Sequence, residues 1–129
     1  MKKISLMDRY PIYTKEILKS ETAMQNTDDF INKIKEKIDN DKIASFIWIF
    51  DHYNHTKKIW GDINDNIIDW KIIVFCFGQE LPKAEVMWVR PRNIAIAEFD
   101  NKFVISFSEA PKEQANEKMS KWILDEINS

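Results

Sequence analysis

The sequence predicts an α+β domain in which an antiparallel sheet of four or five strands carries two helices on one face. Three observations predict this class: helical apolar stripes near both ends of the chain, β-rich segments between them, and turn residues joining the last two segments. At 129 residues with 44% apolar side chains, the chain is long enough for one compact core and too short for two. We therefore expect a single domain over residues 1–129.

The first elements are an edge strand and a helix. The segment RYPIYTKEIL alternates along its length and contains Pro11, which is tolerated at a sheet edge. A helix is predicted over Thr27–Asn40, because Thr27 suits an N-cap and two aspartates follow it in the first turn. Its apolar stripe consists of Phe30, Ile31, Ile34 and Ile38.

The later elements are four strands and a second helix. β-Branched and aromatic residues predict strands at Ile43–Asp51, Trp70–Gly78, Asn93–Phe99 and Lys102–Ser108. Asp100 and Asn101 tolerate positive φ and predict a tight hairpin between the last two. A helix over Pro111–Ile127 has one apolar face, formed by Ala115, Met119, Trp122, Ile123 and Ile127.

The β-α-β4-α order is accompanied by three motifs: FDH at the end of the second strand, IIVFCFG in the third, and EFDNKFVISFSEAP across the hairpin. The order and these motifs resemble those of a bacterial family of unknown function. That family's fold is similar to one half of the TATA-box-binding protein. The resemblance covers Tyr10 to Met119 and implies this fold without a defined reaction. The chain departs from the family pattern where Gln79 and Glu80, rather than Asn-Pro, follow Gly78, and where Arg90-Pro91 replaces Leu-Pro.

Composition excludes several classes of function. A formal charge of -2, from 19 basic and 21 acidic residues, argues against a nucleic-acid partner. Only two glycines occur, Gly61 and Gly78, so the chain has no glycine-rich phosphate loop. The single cysteine fits a reducing compartment, and no apolar run is long enough for a signal peptide or a membrane span. We expect a cytoplasmic protein without a membrane partner or cofactor.

Both histidines lie in one stretch, FDHYNHTKKIW. If the chain turns into a helix after Asp51, then His52 and His55 lie on one side with that carboxylate and become candidate metal ligands. If the strand continues, the two histidines point to opposite faces. A fourth ligand would have to be Cys76, Asp62, Asp65 or water. Because no established metal motif is present, we favour no metal, with His52 ending the strand and His55 in solvent.

Two other polar residues lie among apolar neighbours. Cys76, in IIVFCFG, is interpreted as a buried core residue because apolar surroundings disfavour the reactive thiolate. Glu98 shares a strand face with Ile94 and Ile96, which places it near a covered surface. Its position beside the turn favours a solvated carboxylate instead, although it stays a candidate binding residue.

The segment VMWVRPR interleaves Trp88 with Arg90 and Arg92, a mixture typical of contact hot spots and of sites that hold an anionic ligand. The alternative is a connecting segment in which Trp88 packs on the sheet and the arginines pair with carboxylates such as Glu85. We favour the alternative and keep Trp88, Arg90 and Arg92 as candidate binding residues together with His52, His55 and Glu98.

The strongest functional indication is collective. In IASFIWIF and WKIIVFCF the residues that point to each of the two sheet faces are apolar. A strand with one face in solvent should instead alternate apolar and polar residues. Two helices cover one face only, so the other needs a second subunit, an apolar ligand, or the loop from Ile59 to Ile68 as its cover. Alternation groups Phe46, Trp48 and Phe50 on one face and Ile43, Ile47 and Ile49 on the other.

We expect a homodimer and a non-enzymatic domain that binds a protein partner or a small ligand. Two alternatives stay open. One is a metal-dependent protein or enzyme centred on Asp51, His52 and His55, and the other is a carrier of a small apolar molecule.

Overall fold

The computed structural model describes residues 1–78 and 80–127, and these residues form one six-stranded sheet with three α-helices. The strands are β1 (Lys2–Leu6), β2 (Tyr10–Leu18), β3 (Ser45–Asp51), β4 (Asp69–Cys76), β5 (Arg92–Glu98) and β6 (Lys102–Ser108). The helices are α1 (Thr27–Asp39), α2 (His52–Lys58) and α3 (Glu113–Leu124), with 3-10 segments at Lys19–Glu21 and Ala84–Val89. The strand order is β1-β2-β6-β5-β4-β3, and all neighbours are antiparallel. The α+β class and antiparallel sheet are confirmed, but four or five strands and two helices were too few.

Strand β1 is the element that the sequence did not reveal. It pairs with β2 from Lys2 opposite Thr14 to Leu6 opposite Tyr10. In the turn between them, Met7 and Asp8 have φ values of 55° and 59°. Glycine or asparagine usually occupies positions with this left-handed conformation. Because this turn contains neither residue and the strand has five residues, the local pattern is too weak to predict the hairpin.

Helix α1 begins at Thr27, one residue earlier than it would if Thr27 were the N-cap. Asn26 is the N-cap, and its side-chain oxygen accepts a hydrogen bond from the Asp29 amide at 2.8 Å. The predicted stripe is correct, since Phe30, Ile34 and Ile38 are fully buried in the core. Thr27 is therefore free to bond elsewhere, and its partner is Glu98.

Helix α3 covers the same sheet face as α1. Trp122 packs against Phe75 with 5.6 Å between ring centroids, and Met119 and Ile123 are fully buried. The helix begins at Glu113 rather than Pro111, because buried Asn116 ties the preceding segment by accepting from the Ala110 amide at 2.7 Å and donating to its carbonyl at 3.1 Å. None of the helices in the described ranges is long and apolar enough to cross a membrane.

A bulge in β3 changes which side chains share a face. The register with β4 shifts between Phe46 and Trp48, leaving Ile47 as the extra residue. Phe46 therefore lies opposite Phe75 and packs against the core, whereas Trp48 lies opposite Val74 on the other face. The prediction that Phe46, Trp48 and Phe50 share one face is wrong for Phe46, since strict alternation does not hold across a bulge.

The β5–β6 hairpin is confirmed, with Glu98 paired to Phe103 and the Phe99 amide donating to the Lys102 carbonyl at 2.8 Å. The expected turn conformation is wrong, however, because neither Asp100 nor Asn101 has a positive φ. The hairpin closes without the left-handed residues that the Asp-Asn pair suggested.

Candidate functional site

Helices α1 and α3 leave one face of the sheet uncovered. Ile73 and Phe75 point toward α1 and α3 and are fully buried, so the alternate residues of β4 point to the opposite face. The register extends this set across the sheet; its apolar members are Ile4, Leu6, Tyr10, Ile12, Leu18, Trp48, Phe50, Trp70, Ile72, Val74, Cys76, Ala95, Ala97 and Val104. We call this set the open face. Trp48 is its most exposed aromatic residue at 58%.

Helix α2 brings both histidines onto the end of the open face. The chain turns into a helix at His52, as one of the two expected geometries required. The His52 ring stacks on Trp70 with 4.3 Å between centroids, and Phe50 lies 5.1 Å from His52 and 5.4 Å from His55. The His52 Nδ1 atom is 2.9 Å from the Thr56 hydroxyl. The histidines therefore extend an aromatic cluster, and His55 is exposed as expected.

Asp51 is used as the cap of α2. Its carboxylate accepts hydrogen bonds from the Asn54 amide at 3.0 Å and from the Asn54 side chain at 2.6 Å. Burial alone would raise the pKa of Asp51, but these hydrogen bonds outweigh it and leave the pKa below its ordinary value. Among the described residues, no group of three histidine, cysteine, aspartate or glutamate side chains is arranged to hold a metal ion. The geometry thus lends no support to a metal site at Asp51, His52 and His55.

Two polar residues have surroundings that differ from the predictions. Cys76 is half-buried on the open face rather than inside the core, because it alternates with Phe75 along β4. Glu98 is only 6% exposed, so the favoured interpretation of a solvated carboxylate is wrong. It accepts hydrogen bonds from the Thr27 amide at 2.8 Å and from Lys19 Nζ at 2.7 Å, which join the end of β5 to the start of α1.

The loop from Ile59 to Ile68 leaves three of its five large apolar side chains in solvent. Trp60 is 93% exposed, and Ile59 and Ile68 are exposed as well. Since Trp48 also stays exposed, this loop, which was one of the three candidate covers, does not cover the open face at that residue.

A cavity of about 460 Å³ lies on the other side of the sheet, between α3 and the connection from β4 to β5. The Ala84–Val89 segment forms one wall and the first half of α3 forms the other. Its lining residues are Ile43, Phe77, Gly78, Glu80, Pro82, Val86, Val89, Arg90, Arg92, Ala110, Pro111, Lys112, Gln114, Ala115 and Lys118.

The arginines of VMWVRPR converge on this cavity, but the tryptophan does not pack on the sheet. Trp88 is 90% exposed, and neither arginine forms an ion pair within the described part of the chain. Both halves of the favoured alternative, a packed Trp88 and arginines paired with carboxylates such as Glu85, are therefore wrong. The structure thus leaves Arg90 and Arg92 without acidic partners beside a cavity.

Arg92 is the more deeply placed of the two, at 6% exposure. Its Nη2 group donates to the carbonyl and, at 3.2 Å, to the hydroxyl of Ser108. Its Nε atom and the Nη1 atom of Arg90 are buried without a hydrogen-bond partner. Burial lowers the pKa of Arg92, since removal from water disfavours the charged guanidinium.

Sequence reasoning missed the contribution of α3 to this site. Lys112 and Lys118 line the cavity but lie about 20 to 30 residues from the arginines along the chain. The Arg-Pro-Arg tripeptide was the available signal, and no local pattern connected it to the first turns of α3.

Comparisons with known proteins match the chain to a family of unknown function. A family model described as a family of unknown function, DUF6858, matches residues 1–128. A comparison with curated proteins finds none that matches the chain. Among solved structures, the chain is similar to an uncharacterized conserved protein, DUF302, from Bacillus stearothermophilus, with a TM-score of 0.55, 15% identity, and coverage of 85% of this chain and 80% of that chain. At this identity the likeness concerns the fold alone. The resemblance to a family of unknown function is confirmed, whereas the bacterial origin and the likeness to the TATA-box-binding protein stay predictions.

Proposed function

The chain belongs to the DUF6858 family, whose function is unknown, and we propose from its own surfaces that it is a cytoplasmic, single-domain binding protein that self-associates through the open face. No reaction is part of this proposal. The observation that carries it is the set of apolar and aromatic side chains that the helices leave uncovered.

The size of the open face suits a dimer interface. Six strands at a spacing of about 4.8 Å, each about 24 Å long for seven residues, span roughly 700 Å² in projection. A standard interface removes about 800 Å² of accessible surface from each partner. The accessible area of the open face is larger than its projected area, so the face is large enough to bury this amount. Most of the face would have to contact the partner. Trp48 and Trp70 are the type of residue that contributes most to such contacts.

Face-to-face packing is favoured over pairing of sheet edges. The β3 edge carries the bulge at Ile47, which disrupts the regular hydrogen-bonding row that an added strand needs. The β1 edge is short and carries exposed Lys2 and Lys3. Bulges and edge lysines are features that protect strands from pairing with another chain.

The charges of the open face permit contact with an identical copy. Its charged strand residues are Lys2, Glu16 and Lys102, and the latter two pair with each other at 2.7 Å. A two-fold contact brings one patch onto the same patch of the partner, so a strongly charged face would repel itself. With one uncompensated lysine at the sheet edge, this face avoids that repulsion, which is why the proposed partner is a second copy of the chain.

Analytical ultracentrifugation of wild type and two tryptophan variants tests the proposal. Wild type should sediment as a dimer at micromolar concentration. Trp48→Asp should sediment as a folded monomer, because it places a charge among the apolar side chains that the proposed interface buries. Trp60→Asp is the matched control, since Trp60 is 93% exposed outside the sheet and its replacement should leave the dimer intact. Circular dichroism melts establish that both variants are folded.

Four results would contradict the proposal. A compact wild-type monomer at micromolar concentration overturns it, and so does a Trp48→Asp variant that stays dimeric. A monomer that carries a copurified apolar compound in native mass spectrometry replaces it with the carrier alternative. Stoichiometric metal in elemental analysis, with a melting temperature that falls on addition of chelator, replaces it with the metal-dependent alternative.

A further inference from the structure

We infer that the cavity between α3 and the Ala84–Val89 segment is a binding site for a small organic carboxylate with an apolar body. This site lies on the helix-covered side of the sheet, and its occupation does not depend on self-association through the open face.

The lining of the cavity is positive although the chain is not. It contains four basic residues and one acidic residue, a formal charge of +3, whereas the whole chain carries -2. Lys118 is paired with Asp41 at 2.7 Å, and Lys112 lies 3.7 Å from Glu80 on the exposed rim. The charges that remain uncompensated are those of the two arginines.

Arg92 supplies the observation that points to a ligand. A buried guanidinium without an anionic partner is costly, and its charge persists because the group is not deprotonated in proteins. Its contacts with Ser108 satisfy Nη2, whereas Nε is buried and unpartnered beside the cavity. The Nη1 atom of Arg90 is in the same condition. An anion in the cavity would neutralise the charge of these two arginines.

The lining of the cavity favours an organic carboxylate over inorganic phosphate, because part of the space beside the arginines is apolar and phosphate has no apolar part to fill it. The neighbouring loop has a single glycine, Gly78, and so offers no glycine-rich cradle of backbone amides.

The rest of the lining and the size of the cavity define the body of the ligand. Phe77, Val86, Val89 and Ala115 are apolar and line the same space as the arginines. A volume of about 460 Å³ is within the range of small-molecule sites. A short aliphatic or aromatic acid therefore matches both parts of the cavity, its charged end at the arginines and its body against the apolar wall.

Calorimetric titration with sodium octanoate tests the inference. Octanoate should bind with one site per chain and raise the melting temperature. Octanol, which has the same tail without the charge, and acetate and inorganic phosphate, which have a charge without the tail, should each bind at least tenfold more weakly. Binding should weaken as salt is added, since the interaction is partly electrostatic.

Three arginine variants assign the binding to this cavity. Arg90→Met and Arg92→Met should each weaken octanoate binding at least tenfold. Arg9→Met removes an exposed arginine from the β1–β2 turn and should bind as wild type does. Because replacement of the buried Arg92 perturbs the core as well as the cavity, Ala115→Leu gives a second route: it fills the cavity from α3 and should also abolish binding.

Several results would overturn the inference. They are no octanoate binding at millimolar concentration, equal binding of octanol, phosphate binding as tight as octanoate binding, or a folded Arg90→Met variant that binds as wild type does. The Trp48→Asp variant keeps this test separate from the proposed self-association, because a folded monomer should still bind octanoate.

Discussion

The replacement of Glu98 by glutamine should destabilise the fold strongly, because this carboxylate joins the end of β5 to α1 and to the 3-10 segment that follows β2. It accepts from the Thr27 amide at 2.8 Å, from the Thr27 hydroxyl at 3.1 Å and from Lys19 Nζ at 2.7 Å, and is 6% exposed. Glutamine preserves the shape and one acceptor oxygen. It also places an amide N–H group opposite the Lys19 ammonium, so the charge-assisted bond is lost and two donors face each other.

The magnitude follows from the burial of the pair. Breaking a buried ion pair costs about 3–5 kcal/mol, and hydrogen bonds to charged groups contribute about 1.5–3 kcal/mol each. The Lys19 side chain retains 21% exposure and regains some hydration, which reduces the cost. We expect Glu98→Gln to lower the free energy of unfolding by about 2–3 kcal/mol, a large part of the roughly 5–15 kcal/mol typical of a whole domain.

Urea denaturation at neutral pH, followed by circular dichroism, measures this change. Glu117→Gln is the matched control, because Glu117 is exposed on α3 and its replacement should change stability by less than about 0.5 kcal/mol. If Glu98→Gln also stays within about 0.5 kcal/mol of wild type, the reasoning that this carboxylate joins three elements is refuted.

Three further changes test other parts of the structure. Burial alone would raise the pKa of Asp41, but the hydrogen bonds from Lys118 and two backbone amides leave the pKa lowered. The ionised carboxylate therefore stabilises the fold above the ordinary carboxyl pKa, and this stabilisation is lost as pH falls through the lowered pKa. The difference in free energy of unfolding between wild type and Asp41→Asn should shrink when denaturation is measured at decreasing pH. Asn116→Ala should cost about 2–3 kcal/mol in urea denaturation, because it leaves the buried amide and carbonyl of Ala110 without their partner; an unchanged midpoint would contradict this. His52→Ala should cost about 0.5–1.5 kcal/mol through its lost ring stacking, and a larger loss accompanied by loss of bound metal would restore the metal-dependent alternative.

The elements that could be predicted from the sequence are those with a repeating pattern of their own. The stripe of Phe30, Ile34 and Ile38 predicted α1, and the stripe of Met119, Trp122 and Ile123 predicted α3, because the period of a helix is a property of its own backbone. The doubly apolar strands likewise indicated that a face of the sheet would lack a helical cover. These inferences concern neighbours within one element, and the structure confirms them.

The site depended on contacts between residues that are distant along the chain. Buried Glu98 accepts a hydrogen bond from Thr27, 71 residues earlier in the chain. The local sequence IAIAEFD contains no pattern that predicts this partner. The cavity exists because Arg92 at the start of β5 lies beside the first turns of α3. The sequence alone showed an Arg-Pro-Arg segment, and its neighbours along the chain did not distinguish a binding site from a connecting segment.

By itself, the sequence determined the fold class, α1 and α3, the antiparallel hairpin and the apolar character of both faces of β3 and β4. Only the tertiary structure decided the sixth strand, the bulge at Ile47 and the partners of Glu98, Arg90 and Arg92. The physical reason is that periodicity depends on local backbone geometry, whereas register and charge compensation depend on which distant segments pack together. A one-residue shift in β3 moves Trp48 and Phe50 to the face opposite Phe46, and the energy that selects this shift comes from contacts with the rest of the sheet and core.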